Sequence, residues 1–305
     1  MPEVSVLMSA YKEEENQLRA ALESILNQTY QDFEFLIFLD CPENESLKKV
    51  IESYDDPRIR FFVNEKNLGL TAALNRALEK AEGKYIARMD ADDISLPCRL
   101  EKQKKYLEDN GFDLIGGVTD VIDENGKDLY GVGKIPSDPA KIKKLLGYNT
   151  CLPHPTWFGK KEVFDRLNGY RNFPYCEDFD FQVRAALQGF RLSNLNEPVL
   201  KYRMTKSSIS RSNLYPQYLA MKFLTDQYRQ NQTADLQECR LYLARHSSEK
   251  KAEKYSKANR NFNEMLESLH DKKYGNFFVS GVKTVFSSKD YLDKIYRLLR
   301  LSLNS

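Results

Sequence analysis

The sequence predicts an α/β protein with a parallel, doubly wound sheet in its first half, a mixed α+β second half and a helical C-terminal extension. Three observations carry this. Short apolar runs alternate with helix-periodic segments through residues 4–93, and that alternation is most simply satisfied by a parallel sheet with helices on both faces. The alternation lapses after about residue 121, where strands and short helices mix. Beyond Ser210 the chain reads as helices only.

Val4 to Ser9 forms the first expected strand, leading into Ala10-Tyr11. Glu13 to Glu15 place negative charge in the first turn of a helix, where the dipole favours it, and Leu18, Ala21, Leu22, Ile25 and Leu26 give that helix its apolar face. Phe33 to Leu39 is nearly all apolar, as suits a parallel strand buried on both faces, and it stops at Asp40-Cys41-Pro42. Leu47, Val50, Ile51 and Tyr54 mark a second helix, Ile59 to Val63 a third strand, and Leu70, Ala73, Leu74, Ala77, Leu78 and Ala81 a third helix. Tyr85 to Met89 is the fourth strand. A helix over 97–110 stopped by Gly111, a strand over 114–121 and a turn at Asp123-Glu124-Asn125-Gly126 into residues 127–130 follow. Short helices are expected over 161–167 and 179–187, with late edge strands at 190–192 and 199–202. The extension should contain helices over 218–230, 235–245, 248–270 and 291–301.

At 305 residues the chain can bury a full core, and with 41% hydrophobic and 30% charged residues it reads as a polar globular protein. No apolar run approaches the roughly 18–20 residues of a membrane span, and the N-terminus has no charged segment followed by an apolar stretch. The cysteines (Cys41, Cys98, Cys151, Cys176, Cys239) are scattered without a CxxC pair, which argues against a zinc or disulfide framework and for a reducing cytoplasm. Residues 210–305 carry 17 Lys and Arg against 10 Asp and Glu, so a basic tail follows an acidic body. The helix over 291–301 sets Tyr291, Leu292, Ile295, Leu298 and Leu299 on one face and Lys294, Arg297 and Arg300 on another. That pattern suits either an anionic membrane surface or docking on the body.

The chemistry concentrates at Asp90-Ala91-Asp92-Asp93, where three carboxylates meet the end of an expected buried strand. Packed like charges repel unless a cation or water intervenes. A solvated turn and a helix N-cap are the plain readings. The position outside a strand's carboxyl end favours a ligand site, and carboxylates completed by substrate phosphates are how Mg²⁺ is usually held.

Residues 4 to about 210 resemble a family 2 glycosyltransferase with the nucleotide-sugar-binding GT-A fold. The landmarks fall in order: Ser9-Ala10-Tyr11 with Glu13; Asp32-Phe33-Glu34 and Asp40; Asn67-Leu68-Gly69-Leu70 followed by Asn75 and Ala77; the DxD-like Asp90-Ala91-Asp92-Asp93; Pro97-Cys98-Arg99-Leu100; then Gly169-Tyr170 and Glu177-Asp178-Phe179-Asp180. The resemblance implies a GT-A domain over 1–210, with a nucleotide-binding half to residue 97 and an acceptor half from 98, and a basic helical extension over 211–305. It implies Mg²⁺ or Mn²⁺ on Asp92, with Asp90 assisting the metal or accepting from ribose hydroxyls, and Asp93 starting the next helix or orienting its neighbours. Ser9, Glu13, Asn67, Gly69 and the backbone of Ala91 would line the donor. Tyr11 would stack on a nucleobase, Ala10 would bond its edge through the backbone, and Asp40 would accept the imide N–H of uracil. The plain alternative for Asp40 is the start of the Asp-Cys-Pro turn.

On the acceptor side the resemblance makes Asp178, with Glu177 beside it, the base that takes the proton of an attacking hydroxyl, against the alternative of a helix N-cap. His154, Trp157 and Tyr175 would face the acceptor, with structural packing as the alternative for each. One landmark departs. Tyr202-Arg203-Met204-Thr205 resembles a late motif that often carries a His after the Arg, so a third metal ligand is lacking there and Arg203 or Lys206 would compensate the charge.

The expected function is metal-dependent, inverting transfer of a sugar from a nucleotide diphosphate donor, a UDP-sugar foremost, to a saccharide or lipid-linked acceptor in surface polysaccharide or glycolipid synthesis. The setting would be cytoplasmic, at the inner face of the membrane, with peripheral contact through the C-terminal helices, no nucleic acid partner, and an oligomer allowed. A sugar-nucleotide nucleotidyltransferase would want a Gly-rich phosphate loop where Glu13-Glu14-Glu15 stand. A non-catalytic module would not need both Asp92 and Asp178.

Overall fold

The structure is a computed structural model that describes residues 1–131, 133–205, 213–270 and 272–303. Its first half follows the sequence closely. Strands β1 (Val4–Ala10), β2 (Phe33–Leu39), β3 (Ile59–Val63) and β4 (Tyr85–Asp90) run parallel in the order β3-β2-β1-β4, joined by α1 (Glu15–Leu26), α2 (Glu45–Glu52) and α3 (Leu70–Lys80). The chain order reverses across β1, which therefore marks the switch point where such sheets open a crevice for ligands.

β1, β2 and β4 are buried on both faces, β3 at the edge only partly, and the period of two divides the core cleanly. Val6, Met8, Phe35, Ile37, Ala87 and Met89 pack with Leu18, Leu22, Val50 and Leu100 on one face. Leu7, Leu36, Phe38 and Ile86 pack with Leu74, Ala77 and Leu78 on the other.

A two-residue strand, β5 (Ile94–Ser95), and helix α4 (Arg99–Asn110) follow, the latter ending at Gly111 in the left-handed conformation. Then come β6 (Leu114–Ile122), β7 (Asp128–Gly131), α5 (Pro139–Leu145), a 3₁₀ turn at His154–Thr156, β8 (Phe158–Lys160), α6 (Lys161–Arg166), α7 (Glu177–Leu187) and β9 (Leu192–Arg203). The sheet is mixed: β8 runs antiparallel to both β4 and β6, β9 parallel to β6, and β5 antiparallel to β9.

One expectation is corrected here. Instead of two short edge strands there is a single strand of twelve residues lying between β6 and β5. Its pairing register skips from Leu195 opposite Gly117 to Pro198 opposite Val118. Asn196-Glu197-Pro198, which reads as a break, is a bulge that the strand passes through.

The extension comprises α8 (Leu214–Arg229), α9 (Leu236–His246), α10 (Glu249–His270), α11 (Tyr274–Ser287) and α12 (Lys289–Ser302). It shares its core with the body, since Ala220, Phe223, Leu224, Ala234 and Cys239 belong to the cluster containing Trp157 and Phe181. Of the two readings of α12, the structure favours docking on the body. Tyr291 and Arg297 are buried, and the Arg297 guanidinium donates to Thr225 Oγ1 at 2.8 Å and to Asp293 Oδ2 at 2.5 Å. Tyr215 and Tyr218 donate to Asp290 and Asp293 on the same helix. The helix α11 had no counterpart in the sequence reading. Among the described residues no helix is long and apolar enough to cross a membrane.

The two halves are clamped by Asn75 of α3. Its side-chain amide donates to the Tyr170 carbonyl and accepts from the Tyr170 N–H, both at 2.8 Å. Gly169 before it has φ +66°, and an added Cβ there would lie 2.4 Å from Asn75 Oδ1. Gly169→Ala therefore meets both a disfavoured backbone conformation and a clash with the clamp. It is expected to cost at least about 2 kcal/mol in urea unfolding. A loss within experimental error shows that the clamp contributes nothing.

Candidate active site

The acidic turn lies where β4 ends beside β1, with Asp90 in register opposite Ser9. Asp90, Asp92 and Asp93 each offer an oxygen within 4.8 Å of the others. Their surroundings differ. Asp90 receives both terminal nitrogens of the buried Arg88, one at 2.6 Å. Asp93 is fully buried: Oδ1 accepts the Arg203 N–H at 2.8 Å, while Oδ2 has no partner. Asp92 is half-buried, and its carbonyl accepts from Arg203 Nε at 2.6 Å.

Burial first, then Asp90 and Glu13, push the Asp92 carboxyl up to about 7, and Asp93 is raised as well by burial and by Asp90 and Asp92. Glu13, held by the Tyr11 N–H at 2.7 Å, is itself raised by burial, with Asp90 adding to the effect. Four carboxylates thus crowd one strand end, and one buried oxygen has no donor. This donor set fits a hard divalent cation. Asp93 does not start a helix, since α4 begins only at Arg99; it ties the end of β9 to the turn. Arg203 spends its guanidinium on the carbonyls of Asp92, Asp123 and Glu124, close enough to lower the Asp92 carboxyl electrostatically. Lys206, the other expected counter-charge, lies outside the described residues.

Asp40 at the end of β2 is buried, and its carboxylate takes three donors: Asn64 Nδ2 at 2.7 Å, Leu68 N–H at 2.9 Å and Gly69 N–H at 2.8 Å. Asn67 Oδ1 also accepts from the Gly69 N–H. Asp40 therefore organises the 64–69 loop, beyond both readings drawn from sequence. The Ala10 carbonyl accepts from the Asp40 N–H at 2.7 Å, and the Tyr11 ring stands exposed nearby in sequence. Ala91, between Asp90 and Asp92, is buried.

The acidic start of α7 forms the second carboxylate group. Glu177 and Asp178 are half-buried. Burial and then Asp178 push Glu177 up to about 7; burial raises Asp178, while Arg88 opposes the rise. Asp178 is not the N-cap of α7: that position is Cys176, which makes no side-chain cap bond, and Asp178 lies one residue inside the helix. Asp180 is a different kind of residue. Fully buried, it is gripped by Arg171 and by Arg184 Nε at 2.8 Å, and Arg184 goes on to the carbonyls of Leu167 and Gly169. It is a structural anchor with no lone pair turned to a substrate.

Two acceptor-side expectations are corrected. Trp157 is fully buried, donates to the Leu152 carbonyl at 3.2 Å and stacks with Tyr170, so it belongs to the core. His154 is buried edge-on to Trp157, with Nε2 3.0 Å from the Tyr170 hydroxyl. Burial and Arg88 hold it well below its usual range, hence neutral. Tyr175 remains exposed, at φ +61° just before α7.

Arg88 was missed. It reads as one polar residue in an apolar strand, yet it pairs with Asp90 and lies within electrostatic reach of Glu177, Asp178 and His154. An arginine in a strand otherwise buried on both faces was the available signal. Arg99 supports it from behind, fully buried and donating to the Arg88 carbonyl at 2.6 Å.

A family model described as "Glycosyl transferase family 2" matches residues 5–167. An uncharacterized glycosyltransferase of Methanocaldococcus jannaschii, MJ1057, is 39% identical over 71% of this chain and 78% of its own length. The Escherichia coli O-antigen biosynthesis glycosyltransferase WbnJ is 35% identical over 69% of this chain and 83% of its own. Among solved structures, S. aureus TarS 1-349 in complex with UDP-GlcNAc aligns with TM-score 0.59 at 16% identity, covering 92% of this chain and 90% of that one. That likeness establishes the GT-A fold.

Raised carboxyl groups hold their protons more tightly folded than unfolded. Stability contributed by them is therefore lost as pH rises from the ordinary carboxylate range to about 7. Above that window Asp92→Asn should raise the metal-free melting temperature, by about 2–4 °C per kcal/mol relieved, and should erase the further rise that Mn²⁺ gives the parent. A variant that melts lower without metal places Asp92 in a stabilising contact. Asp180→Asn, which unbalances a buried charge group, should instead cost about 3–5 kcal/mol in urea unfolding at any metal concentration. A near-neutral result would show that this charge group does not anchor the start of α7.

Proposed function

This chain belongs to glycosyl transferase family 2, and we propose that it transfers a sugar from a nucleoside diphosphate donor, a UDP-sugar foremost, to a hydroxyl of a saccharide or lipid-linked acceptor, with inversion and with a divalent metal. The observation that carries the reading is a pair of carboxylate groups, at the end of β4 and at the start of α7, both within the field of the buried Arg88. Assembly of a surface polysaccharide is the setting, a reading supported by the E. coli relative named for O-antigen biosynthesis.

Asp92, with Asp90 and the open oxygen of Asp93, would hold the metal. The cation supplies Lewis-acid neutralisation of the departing diphosphate. On the donor side Tyr11 stacks on the base and the Ala10 backbone meets its edge. Asp40 shapes the Asn67–Gly69 loop and reaches the base only with lone-pair capacity left over from three internal donors. Ser9 and Glu13 line the floor beside Asp90.

On the acceptor side Asp178 takes the proton of the incoming hydroxyl as its oxygen bonds the anomeric carbon and the bond to the diphosphate breaks on the opposite face. The products are the glycoside and the nucleoside diphosphate, with the proton left on Asp178. Glu177, pushed up to about 7 by burial and by Asp178, takes up a proton near neutrality more readily than an ordinary carboxylate and so keeps charge off its neighbour. Tyr175, an exposed ring just before α7, would stack on an acceptor sugar, a role supported by its exposure.

The test separates the two halves. Asp178→Asn should bind the donor nucleotide with near-parental affinity and metal dependence while kcat falls by about 10²–10⁴. The parental rate should fall on the acid side, at a pH above the ordinary carboxylate range, because burial raises Asp178. Full transfer by Asp178→Asn, or failure of every nucleotide sugar to be turned over with Mg²⁺ or Mn²⁺, removes the reading.

A further inference from the structure

The helix α11 is built inside out. Against α10 it sets small and polar groups: Ser280 and Thr284 are buried, and Gly281 lies against Met265, where an added Cβ would come within 3.4 Å of the sulfur. Toward solvent it sets Tyr274, Phe278, Val279, Val282, Val285 and Phe286, which are 50–85% exposed. On a wheel of about 100° per residue these fill one continuous arc of roughly 140°. Isolated exposed hydrophobes are ordinary; a whole arc of aromatic and β-branched side chains on one helix marks a surface that is covered in use.

Charge decides what covers it. No acidic residue occurs between Lys272 and Lys289, whereas exposed Lys272, Lys283 and Lys289 stand at the start, the margin and the end of the arc. A second copy apposed through this face would bring the lysines of one α11 onto those of the other, with no acidic residue on that helix to offset them. An anionic lipid surface accepts both features, apolar side chains into the acyl boundary and lysines at the headgroups.

We propose that α11 is a membrane-docking helix that lies in the plane of an anionic bilayer with Phe278, Val282 and Phe286 at its centre. The proposal is independent of the donor chemistry above. It moves the membrane contact away from α12, whose Tyr291 and Arg297 are buried in the body.

The full chain should sediment with phosphatidylcholine vesicles containing about 30% phosphatidylserine, and less with pure phosphatidylcholine. The triple variant Phe278→Ser, Val282→Ser, Phe286→Ser should partition at least about tenfold less. Its Trp157 fluorescence and thermal melt should match the parent. In the parent, amide exchange over 274–286 should slow on adding the anionic vesicles. Parental protein that ignores vesicles, a folded triple variant that binds equally, or unchanged exchange over 274–286 overturns the proposal. So does a parental dimer that the triple variant converts to monomer, which assigns the face to a second copy.

Discussion

The structure is organised around a shortage of positive charge at the end of β4. Glu13, Asp90, Asp92 and Asp93 approach one another there, and Arg88 pairs directly with Asp90 alone. Arg203 contributes its field but gives its hydrogen bonds to carbonyls. Such a cluster persists only if its scaffold is held independently of it. The scaffold here is β4 between β1 and β8, with Arg99 fixing the Arg88 carbonyl, and β9 tied to the turn through Asp93. The rigidity of the sheet end is what allows like charges to remain together, ready for a ligand that offsets them.

The acceptor half is held by equally specific means, and none of them is apolar alone. The Asp180–Arg171–Arg184 group binds the start of α7 to the 167–169 turn and, through Arg171, to the Ala234 carbonyl. Asn75 clips that same segment to α3. Tyr170 then stacks on Trp157 and meets His154. A buried charge group of this sort adds little net stability compared with apolar packing, yet breaking it is costly, so it serves to fix where α7 begins. That position sets where Glu177 and Asp178 stand.

Much of this was legible in the residues, for identifiable reasons. Strands buried on both faces give unbroken apolar runs, so β1 to β4 and their helices were placed to within a few residues. Elsewhere local signals misled. Asn196-Glu197-Pro198 is a turn by its chemistry, and only pairing with β6 carries the strand through it. The helix α11 escaped because its small polar face packs while its large apolar face does not, the reverse of the rule that locates surface helices. At the site, carboxylates announce themselves by repetition. Arg88 does not, since one basic residue in a strand has no pattern of its own. Trp157 and His154 lay near the expected site in sequence, but their orientation into the core depends on Tyr170 and Leu152, which spacing alone does not reveal.

Arg88 also gives the two carboxylate groups a common term. Its guanidinium is shared between Asp90, which it touches, and Glu177 and Asp178, whose ionised forms it favours against burial. Coulomb energy in a buried setting is long-ranged enough for this sharing to matter. Arg88 thus lowers both Glu177 and Asp178 against burial, while Asp90, which it touches, acts on Glu177 in the opposite sense. An arginine suits this place because it stays charged when buried and its fork meets Asp90 with both terminal nitrogens; a lysine, with one compact charge and no fork, would not.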